Sequence, residues 1–537
     1  MPCSMSQQPN DGSGRAPVAI VRPTTSVTSG VAVTQKLVSA AVAFGNLLKG
    51  TYGPNGLDKM LYKTNGETAV TNDGAKIVAE LLVKHPAAKA FVQLAESQEN
   101  ACGDGVTGCI IFASELMRES GVLLEKSLHP LVLVKGYQAA MEQTIAKWEE
   151  NSHSVTLNDD VKLRSVALTA MTGTAIESVG EFLADLVVRA VQHVARQHDN
   201  QWVVDTESVR MAKKGTGSLS DTSLVKGIIF DKDLDLEKLP RKLTAGKVVV
   251  FSCPLEIEKT SYDAEIEIST TEQWSSFMAA EEEILKHKAQ QIIDSGAKLV
   301  FCSETVDKRI MHQLADNGIC ILASIDKAGA EDVALATGAL MIDHVDSIDE
   351  QTLGNFELMT VESFDSSEGL RDRLYLHVGD ASGLTTIDVC GGGGTTSEEF
   401  VRGLYDALNS VAKAVESGIV SYGGGNQHIT AALAVREYAE SIAGRERLAI
   451  EGFARALESI PTTLIANSGN NMLDGLLELR SQVRLGKHES GINTAGEVGD
   501  LGEVWECSAT SLHALEAACE TACGLLRVDQ VISARGD

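Results

Sequence analysis

The sequence predicts a multidomain α/β protein in which two mostly helical ends enclose an α/β middle. Its 537 residues exceed one ordinary core and correspond to about two to four domains. Small and aliphatic residues recur at helical spacing near both ends, whereas short β-rich runs alternate with helix-length segments between them. Hydrophobic residues make up 44% and charged residues 22%, which is the balance of a soluble globular protein.

The first part of the chain is predicted to be mainly helical. Residues 31–49, "VAVTQKLVSAAVAFGNLLK", have helical spacing and stop at Gly50, a residue type that commonly ends helices. Three more helices, each introduced by Pro, Gly or Thr, are predicted at 87–100, 107–125 and 130–149.

The middle of the chain has the rhythm of βαβ units. Short strands are predicted at 247–253, 298–304, 320–325 and 339–343, with helix-length segments between them. Between the first two strands, a period-two strand leads into a long charged helix that ends near Gly296. Composition alone indicates only a solvated surface helix there.

The last third returns to helices. A strand at 385–389 is followed by four glycines at 391–394 and by a helix, for which Thr395 and Glu398 fit a capping box. The final predicted helix places its apolar residues on one face, namely Leu512, Leu515, Cys519, Ala522 and Leu526.

Charge and cysteine spacing exclude several classes of function. A formal charge of −28 repels phosphate backbones, so we expect no nucleic-acid partner. The ten cysteines are scattered without zinc spacing and are expected to be reduced. No run is apolar enough for a signal core or a bilayer span, so the expected location is the cytosol and no membrane partner is expected.

Two glycine-containing turns near the N-terminus are candidates for phosphate binding, because glycine lets backbone amides approach a phosphate closely. In "TYGPNGLDKM", Pro54 and Gly56 occupy turn positions after the first long helix, although a simple helix-terminating turn explains them as well. In "TAVTNDGAKI", Asp73 and Gly74 lie where a strand gives way to a helix, and Asp73 is equally well explained as an N-cap.

Further candidates come from two other glycine turns and one helical aspartate. "NACGDGVTG" holds Asp104 between glycines before a helix whose N-terminal amides favour an anion. "SYGGGNQHI" sets Gly423, Gly424 and Gly425 before another helix. Asp406 lies on the helix after the four glycines, where an aspartate usually faces solvent. No GxxxxGK[ST] sequence is present, so a Walker loop is not expected.

The aspartates together match the needs of phosphoanhydride hydrolysis. One carboxylate would hold Mg²⁺, and one or two others would orient or deprotonate the attacking water. Because these residues lie in distant parts of the chain, their spacing does not show that they converge.

At this point the chain resembles a known family, the group II chaperonins. The residues that carry the resemblance follow the family's order along almost the whole chain: "TYGPNGLDKML", "AVTNDGAKIV", "GDGVTG", "SYGGGNQH", "ANSGNNMLDGLLELR", "GINTAGEVGDL" and "LLRVDQVI". Stretches at 85–89, 251–254 and 526–532 are most similar to one subunit class of its eukaryotic cytosolic branch.

The resemblance implies a three-domain architecture and a chaperone activity. It implies an equatorial ATPase domain from 1–154 and 416–537, an intermediate hinge domain from 155–226 and 381–415, and an apical domain from 227–380 with a helical protrusion at about 258–290. The implied cofactors are ATP and Mg²⁺. The implied partners are other chaperonin subunits in a hetero-oligomeric double ring and unfolded polypeptide clients such as cytoskeletal proteins.

The resemblance also implies roles for individual residues. Asp104 would hold Mg²⁺, while Asp73 and Asp406 would position and activate the hydrolytic water, with Asp406 as the principal base. The other implied nucleotide contacts are Gly74, Gly103, Gly105, Val106 and Thr107 around the phosphates, Gly53 and Pro54 beside them, and Gly423, Gly424, Gly425 and Glu506 near the ribose.

Four positions depart from the family pattern. Val106 removes one hydroxyl directed at phosphate, and Thr174 stands where many members carry a phosphate-sensing lysine. His428 replaces the usual glutamate after the triple glycine, and Cys390 replaces the arginine of the hinge strand. A lost cation removes a charge-assisted contact, which is stronger than a neutral one. We therefore hypothesise that the chain binds ATP but hydrolyses it slowly.

Three functions are compared. The first is an ATP-driven folding chaperone subunit, in which Ile310, Met311 and Leu314 are candidate client contacts together with the protrusion, although buried packing is the expected role of at least one of them. The second is a mainly architectural ring subunit with a degraded ATPase. A monomeric metabolic ATP-using enzyme is the third, and the sequence offers no His, Lys or Cys constellation directed at a substrate for it.

Overall fold

The protein folds as the multidomain α/β chain that its sequence predicts. The computed structural model describes residues 26–62, 66, 68–83, 85–199, 201–257, 270–366 and 369–533. The strand predicted before the long charged helix, and with it the first part of the predicted protrusion at 258–269, lies outside these residues.

The N-terminal part is dominated by long helices that agree closely with the predicted ones. The strands are β1 (Ser26–Ser29), β2 (Lys59–Tyr62) and β3 (Thr68–Thr71), and the helices are α1 (Val31–Lys49), α2 (Gly74–Ala79), α3 (Pro86–Cys102), α4 (Val106–Glu125) and α5 (Pro130–Glu150).

The following segment mixes two helices with short strands. These elements are β4 (His153–Ser154), α6 (Asp160–Met171), α7 (Gly180–Val194), β5 (Arg196–His198), β6 (Gln201–Val203), β7 (Val209–Lys213), β8 (Ser223–Val225) and β9 (Gly227–Asp231).

The middle of the chain alternates strands and helices and then forms a long hairpin. Its elements are β10 (Lys242–Phe251), α8 (Thr271–Asp294), β11 (Ala297–Cys302), α9 (Lys308–Asp316), β12 (Cys320–Leu322), α10 (Lys327–Thr337), β13 (Met341–Ile342), β14 (Gly354–Ser366) and β15 (Gly369–His377).

The last part begins with one strand and is otherwise mostly helical. Its elements are β16 (Thr385–Val389), α11 (Thr395–Ser417), β17 (Ile419–Tyr422), α12 (Asn426–Ser441), α13 (Glu446–Leu457), α14 (Ser459–Asn467), α15 (Met472–Arg484), β18 (Ser490–Ile492), β19 (Val498–Asp500), β20 (Trp505–Cys507), α16 (Ser508–Leu526) and β21 (Gln530–Ser533).

The two ends of the chain share one hydrophobic core, which we call the terminal core. It joins α1, α3, α4 and α5 to α12, α13 and α16, and β1 pairs antiparallel with β21. Trp148 is fully buried in this core, and its Nε1 donates to Ser508 Oγ at 3.1 Å. Packing across the ends therefore makes one unit of two segments that are remote in sequence.

The middle of the chain has its own core around a seven-stranded sheet, the central core. The predicted βαβ rhythm is confirmed, because β10 pairs parallel with β11 and β13, and β11 pairs parallel with β12. The antiparallel β14, β15 and β9 complete the sheet. On α9, Ile310, Met311 and Leu314 are buried against this sheet, so the prediction that they offer apolar atoms to clients is wrong.

The charged helix α8 is long and largely solvated over its first half, as its composition indicates. Only Leu285, Ala289 and Ile292 are buried, near its C-terminal end. The described helices include none with the length and apolarity needed to cross a bilayer.

A third cluster, the linker core, connects the other two. It comprises α6, α7 and α11 with the sheet of β7, β16 and β8, and it also includes residues of β17 and β20. The prediction that Thr395 caps helix α11 is wrong, because the helix begins at Thr395 and its N-cap is Gly394, which has no side chain to accept from the first amides. The four glycines at 391–394 lead into the helix, so its first turn follows a backbone turn and not a capping side chain.

Arg373 on β15 ties the central sheet to the linker sheet. Its side chain is fully buried, and Nη1 bonds Asp388 Oδ1 of β16 at 2.5 Å. Nη2 donates to Asp231 Oδ2 at 2.7 Å and to the Lys213 carbonyl at 2.6 Å. The second oxygen of Asp388 accepts from the Tyr375 hydroxyl at 2.9 Å. One guanidinium therefore links strands from both sheets.

Candidate nucleotide site

A large cavity lies where the terminal core meets the linker core. Its volume is about 1040 Å³, and its walls come from the turn after α1, the starts of α2 and α4, the end of α6, one face of α11 and the loops around β18 and β20. Ligand pockets for small molecules have volumes of about 300–1,000 Å³. The cavity therefore has room for a nucleotide.

Asp73 stands at one wall of the cavity as the N-cap of α2. Its Oδ1 accepts from the Ala75 amide at 2.8 Å, and its Oδ2 accepts from Arg402 Nη1 at 2.7 Å. Asp73 therefore caps α2, as one prediction has it, and also lines the cavity, as its proposed role in hydrolysis requires. A Cβ on Gly74 would overlap Thr107, so the start of α2 packs directly against the start of α4.

Asp104 lies at the start of α4 between two glycines with positive φ. Gly103 has φ +63° and Gly105, the N-cap of α4, has φ +83°, a region that side chains rarely adopt. Oδ1 of Asp104 accepts from the Gly105 amide and Oδ2 accepts from Ser410 Oγ, both at 2.6 Å. The positive end of the α4 dipole therefore faces the same space as this carboxylate.

One face of α11 supplies a stripe of polar side chains to the cavity. Glu399, Arg402, Asp406 and Ser410 all line it and recur every three or four residues, the spacing that places side chains on one helix face. Glu399 is held by Lys76 Nζ at 2.6 Å and by Thr71 Oγ1 at 3.0 Å. This stripe brings Asp406 into the cavity that Asp73 and Asp104 line.

Crowding of carboxylates raises their pKa values. Burial, followed by the charges of Asp104, Asp73 and Glu99, holds the pKa of Asp406 well above its usual range. Burial also raises the pKa of Asp104, although hydrogen bonds from Ser410 and Gly105 oppose the shift. Burial and the charge of Asp104 raise the pKa of Glu506 to about 8. The cavity thus carries more negative charge than its own donors neutralise.

Two glycine turns shape the rest of the wall. The Gly56 amide donates to the Gly53 carbonyl at 2.9 Å, which closes the predicted turn at Pro54. Gly424 and Gly425 have φ of +61° and +74°, and a Cβ on either would overlap Leu501 or Pro461. Only glycine lets these backbones approach the cavity so closely.

The structure brings together nearly all the residues that the sequence singled out. Those that line the cavity are Gly53, Pro54, Asp73, Gly74, Asp104, Gly105, Val106, Thr107, Asp406, Gly424, Gly425 and Glu506. Gly103 and Gly423 are not in the wall itself and form the turns behind it.

Three of the family departures also lie at this wall. Val106 is 4% exposed and packs in the terminal core. The Thr174 hydroxyl donates to the Met171 carbonyl at 2.6 Å, so it is engaged within its own loop. His428 is buried edge-on against Trp148, and burial lowers its pKa to about 3, which leaves the ring neutral.

Sequence reasoning missed several lining residues, chiefly Tyr52, Glu99, Arg402 and Ser410. Arg402 and Ser410 lie one helical turn on either side of Asp406, so the helical spacing carried a signal for both. Tyr52 and Glu99 carry no such signal, since only the fold turns them toward the cavity.

The polar atoms of the cavity fit a nucleotide and its metal ion. Four buried side-chain atoms at the wall have no hydrogen-bond partner within the described part of the chain: Arg402 Nε, His428 Nδ1, Glu506 Oε1 and Thr510 Oγ1. Buried polar groups rarely stay unpaired. Among the described residues, no three His, Cys, Asp or Glu side chains converge to hold a metal ion alone. Mg²⁺ binds through one or two carboxylates plus substrate phosphates, and Asp104 and Asp406 bring carboxylates to this wall.

Comparison with known proteins gives a consistent result over nearly the full chain. The TCP-1/cpn60 chaperonin family matches residues 44–536. A thermosome subunit of Methanopyrus kandleri is 37% identical over 511 residues, which cover 93% of this chain and 91% of the relative. Thermosome subunit beta of Sulfolobus acidocaldarius is 36% identical, with 96% and 94% covered. Thermosome subunit alpha of Archaeoglobus fulgidus is 35% identical, with 97% and 95% covered.

Proposed function

Because this chain belongs to the TCP-1/cpn60 chaperonin family, we propose that it is an ATP-dependent chaperone subunit that binds ATP with Mg²⁺ and hydrolyses it. The observation that carries the proposal is the meeting of Asp73, Asp104 and Asp406 in one cavity. Asp73 and Asp104 precede the strands and helices of the central core in the sequence, and Asp406 follows them. A shared site explains why residues so far apart in sequence converge.

The proposed roles follow from the contacts. Asp104 would hold Mg²⁺, which when bound neutralises charge on the phosphates. The free amides at the start of α4 would donate to phosphate oxygens. Asp406 would accept the proton of the attacking water, because a carboxylate with a raised pKa is a stronger base. Asp73 would orient that water, and Glu506 would contact the ribose.

The domain division proposed for the chain is equatorial at 1–154 and 416–537, intermediate at 155–226 and 381–415, and apical at 227–380. The separate terminal, linker and central cores support it. The linker core also takes in Val420, Tyr422, Trp505 and Cys507, so the junction between the first two domains is continuous rather than a flexible linker.

We place the protein in a hetero-oligomeric double ring in the cytosol, where it would assist the folding of unfolded polypeptides such as cytoskeletal proteins. Thermosome subunits alpha and beta among its relatives support assembly from unlike subunits. The hairpin of β2 and β3 supports a contact between subunits, because Met60 and Tyr62 are 73% and 78% exposed. A two-stranded sheet is marginal alone, and its free edge can pair with another chain.

Within the family, we assign the chain to the theta subunits of the eukaryotic cytosolic chaperonin. The stretches "HPAAK" at 85–89, "FSCP" at 251–254 and "LRVDQVI" at 526–532 support this finer placement. The archaeal relatives named above do not distinguish among eukaryotic subunit classes.

An architectural role with weak hydrolysis is the second candidate. It is favoured by Val106, which is buried and brings no hydroxyl to the cavity, and by Thr174, whose hydroxyl is already engaged. The three aspartates oppose it, since an inactive pocket has no need to keep buried carboxylates together.

Nucleotide binding and turnover by the full chain in its assembled ring test both candidates. The variants are Asp104→Ala and Asp406→Ala, and Asp474→Ala is the matched control because it is exposed on α15 outside the cavity. Labelling this subunit with a photoreactive ATP separates its occupancy from that of its neighbours. We expect Asp104→Ala to reduce Mg²⁺-dependent binding and Asp406→Ala to abolish turnover while binding persists.

The outcomes distinguish the two candidates. Unchanged turnover in Asp406→Ala would remove the catalytic assignment and favour the architectural role. A wild-type subunit that is never labelled would exclude the ATPase. Equal affinity with and without Mg²⁺ would contradict the role of Asp104.

A further inference from the structure

The ionisable side chains of the cavity are strongly unbalanced. Asp73, Glu99, Asp104, Glu399 and Asp406 all line it, and the charges of Asp73, Glu99 and Asp104 act on Asp406. Among the described lining residues, the permanent cations are Arg164 and Arg402. The side chain of Arg164 is 50% exposed and pairs with Asp185 outside the cavity. Arg402 is therefore the cation available to a phosphate deep in the site.

The contacts of Arg402 leave part of its guanidinium unused. Nη1 donates to Asp73 Oδ2 at 2.7 Å, whereas the buried Nε makes no hydrogen bond to the described residues. Nε pairs with Glu399 Oε1 only at 3.9 Å, which is too long for a hydrogen bond. A guanidinium has five N–H donors arranged for bidentate contacts with phosphate. This side chain can thus hold an anion that the protein itself does not supply.

The loop opposite Arg402 brings no cation to the cavity wall. A Cβ built on Gly403, the residue after Arg402, would lie 3.5 Å from Thr174 Oγ1. Thr174 therefore faces α11 across the same part of the cavity, and its hydroxyl is committed to the Met171 carbonyl. A longer cationic side chain at Thr174 would reach the region that Arg402 now occupies alone.

Resting on the proposed function, we propose that Arg402 is the residue that recognises the terminal phosphate of ATP and that it exchanges Asp73 for that phosphate when ATP binds. Arg402 is paired with Asp73 across α11 and α2. A phosphate that arrives beside Arg402 attracts the same guanidinium and frees Asp73 for the hydrolytic water. Arg402 is then a specificity residue for ATP over ADP, because ADP lacks the phosphate that it contacts.

The test measures affinities for ATP and for ADP in the full chain in its assembled state, with and without Mg²⁺. The variants are Arg402→Ala, Arg402→Lys and the double variant Arg402→Ala with Thr174→Lys. Arg447→Ala is the control, because it removes an exposed arginine of α13 that pairs with Glu451 and does not line the cavity. A charge-assisted hydrogen bond corresponds to about a tenfold or larger change in affinity. We expect Arg402→Ala to lose about that factor for ATP and much less for ADP, and Arg402→Lys to lie between.

The rescue separates recognition from a merely structural role. Thr174→Lys returns a cation to the same region, so the double variant is expected to regain most of the preference for ATP over ADP. Equal losses for ATP and ADP without rescue would overturn the proposal and leave Arg402 as a structural partner of Asp73. Binding of neither nucleotide by the wild type would instead refute the proposed function, and this inference with it. If Arg402→Ala does not fold, an unchanged ATP to ADP ratio in Arg402→Lys and in Thr174→Lys overturns the proposal.

Discussion

Replacing Arg373 by methionine is expected to loosen the joint between the central and linker sheets. Asp388 is 4% exposed on its side chain and would lose its ion partner, retaining only the Tyr375 hydroxyl. Asp231 is 49% exposed and can be hydrated instead. Removing one partner of a buried pair costs about 3–5 kcal/mol. We assign nearly all of that cost to Asp388.

A double variant isolates this cause. Neutralising the stranded carboxylate in Arg373→Met with Asp388→Asn should recover a large part of the loss, because no unpaired charge then stays buried. Asp231→Asn alone should cost about 1 kcal/mol or less, since its partner keeps Asp388 and its own site is half exposed. Arg373→Met should therefore be the most destabilising of the three variants, because Asp388 is buried and Asp231 is half exposed.

Amide hydrogen exchange in β15 and β16 is the appropriate measurement, because a multidomain chain has no single free energy of unfolding. The Arg373→Met variant should lose protection in both strands while the amides of α4 keep theirs. Equal effects for Asp231→Asn and Arg373→Met, or no recovery in the double variant, would show that Asp388 is not the group that needs the guanidinium.

Three other perturbations have defined outcomes. Gly74→Ala should weaken nucleotide binding with little change in melting temperature, because its Cβ overlaps the start of α4; Gly524→Ala, which meets nothing within 4 Å, should leave binding unchanged. Tyr62→Lys should weaken ring assembly in native mass measurements, whereas Leu370→Lys, 71% exposed elsewhere, should not. Folded Glu506 holds its proton up to about pH 8 while an unfolded glutamate releases it near 4.5, so thermal stability should fall as pH rises between these values. Glu506→Gln should flatten that slope, and a melting series over pH checks it.

The sequence predicted the parts of the site that depend on local backbone geometry. Gly53 and Gly105 lie in turns where the backbone has positive φ. Glycine adopts this conformation without steric cost, so a glycine at such a place in the sequence predicts a turn in any fold. Asp104 stands beside such a turn, whereas Asp73 was found because it lies where a strand gives way to a helix. The helices and the parallel strands of the middle followed from periodicity, which reports burial directly.

The parts that could not be predicted depend on packing between distant segments. Tyr52 and Glu99 were overlooked because nothing in their local sequence shows that the fold turns them toward the cavity. For Ile310, Met311 and Leu314 the sequence left client contact and buried packing open, and the sheet covers all three. The sequence predicted a capping box at Thr395 and Glu398, but the helix begins at Thr395 and its N-cap is Gly394. Each of these cases was decided by contacts that only the assembled chain makes.

The shared core of the two chain ends has a consequence for synthesis on the ribosome. The central core uses residues 228–384 alone, so it can form as soon as they emerge. Helices α1, α3, α4 and α5 must wait for α12, α13 and α16, because the terminal core needs both sets. Since domains fold as units during translation, the nascent chain exposes its first helices until its last ones emerge. The nucleotide cavity, with Glu506 in its wall, is therefore completed only after β20 and the start of α16 have emerged.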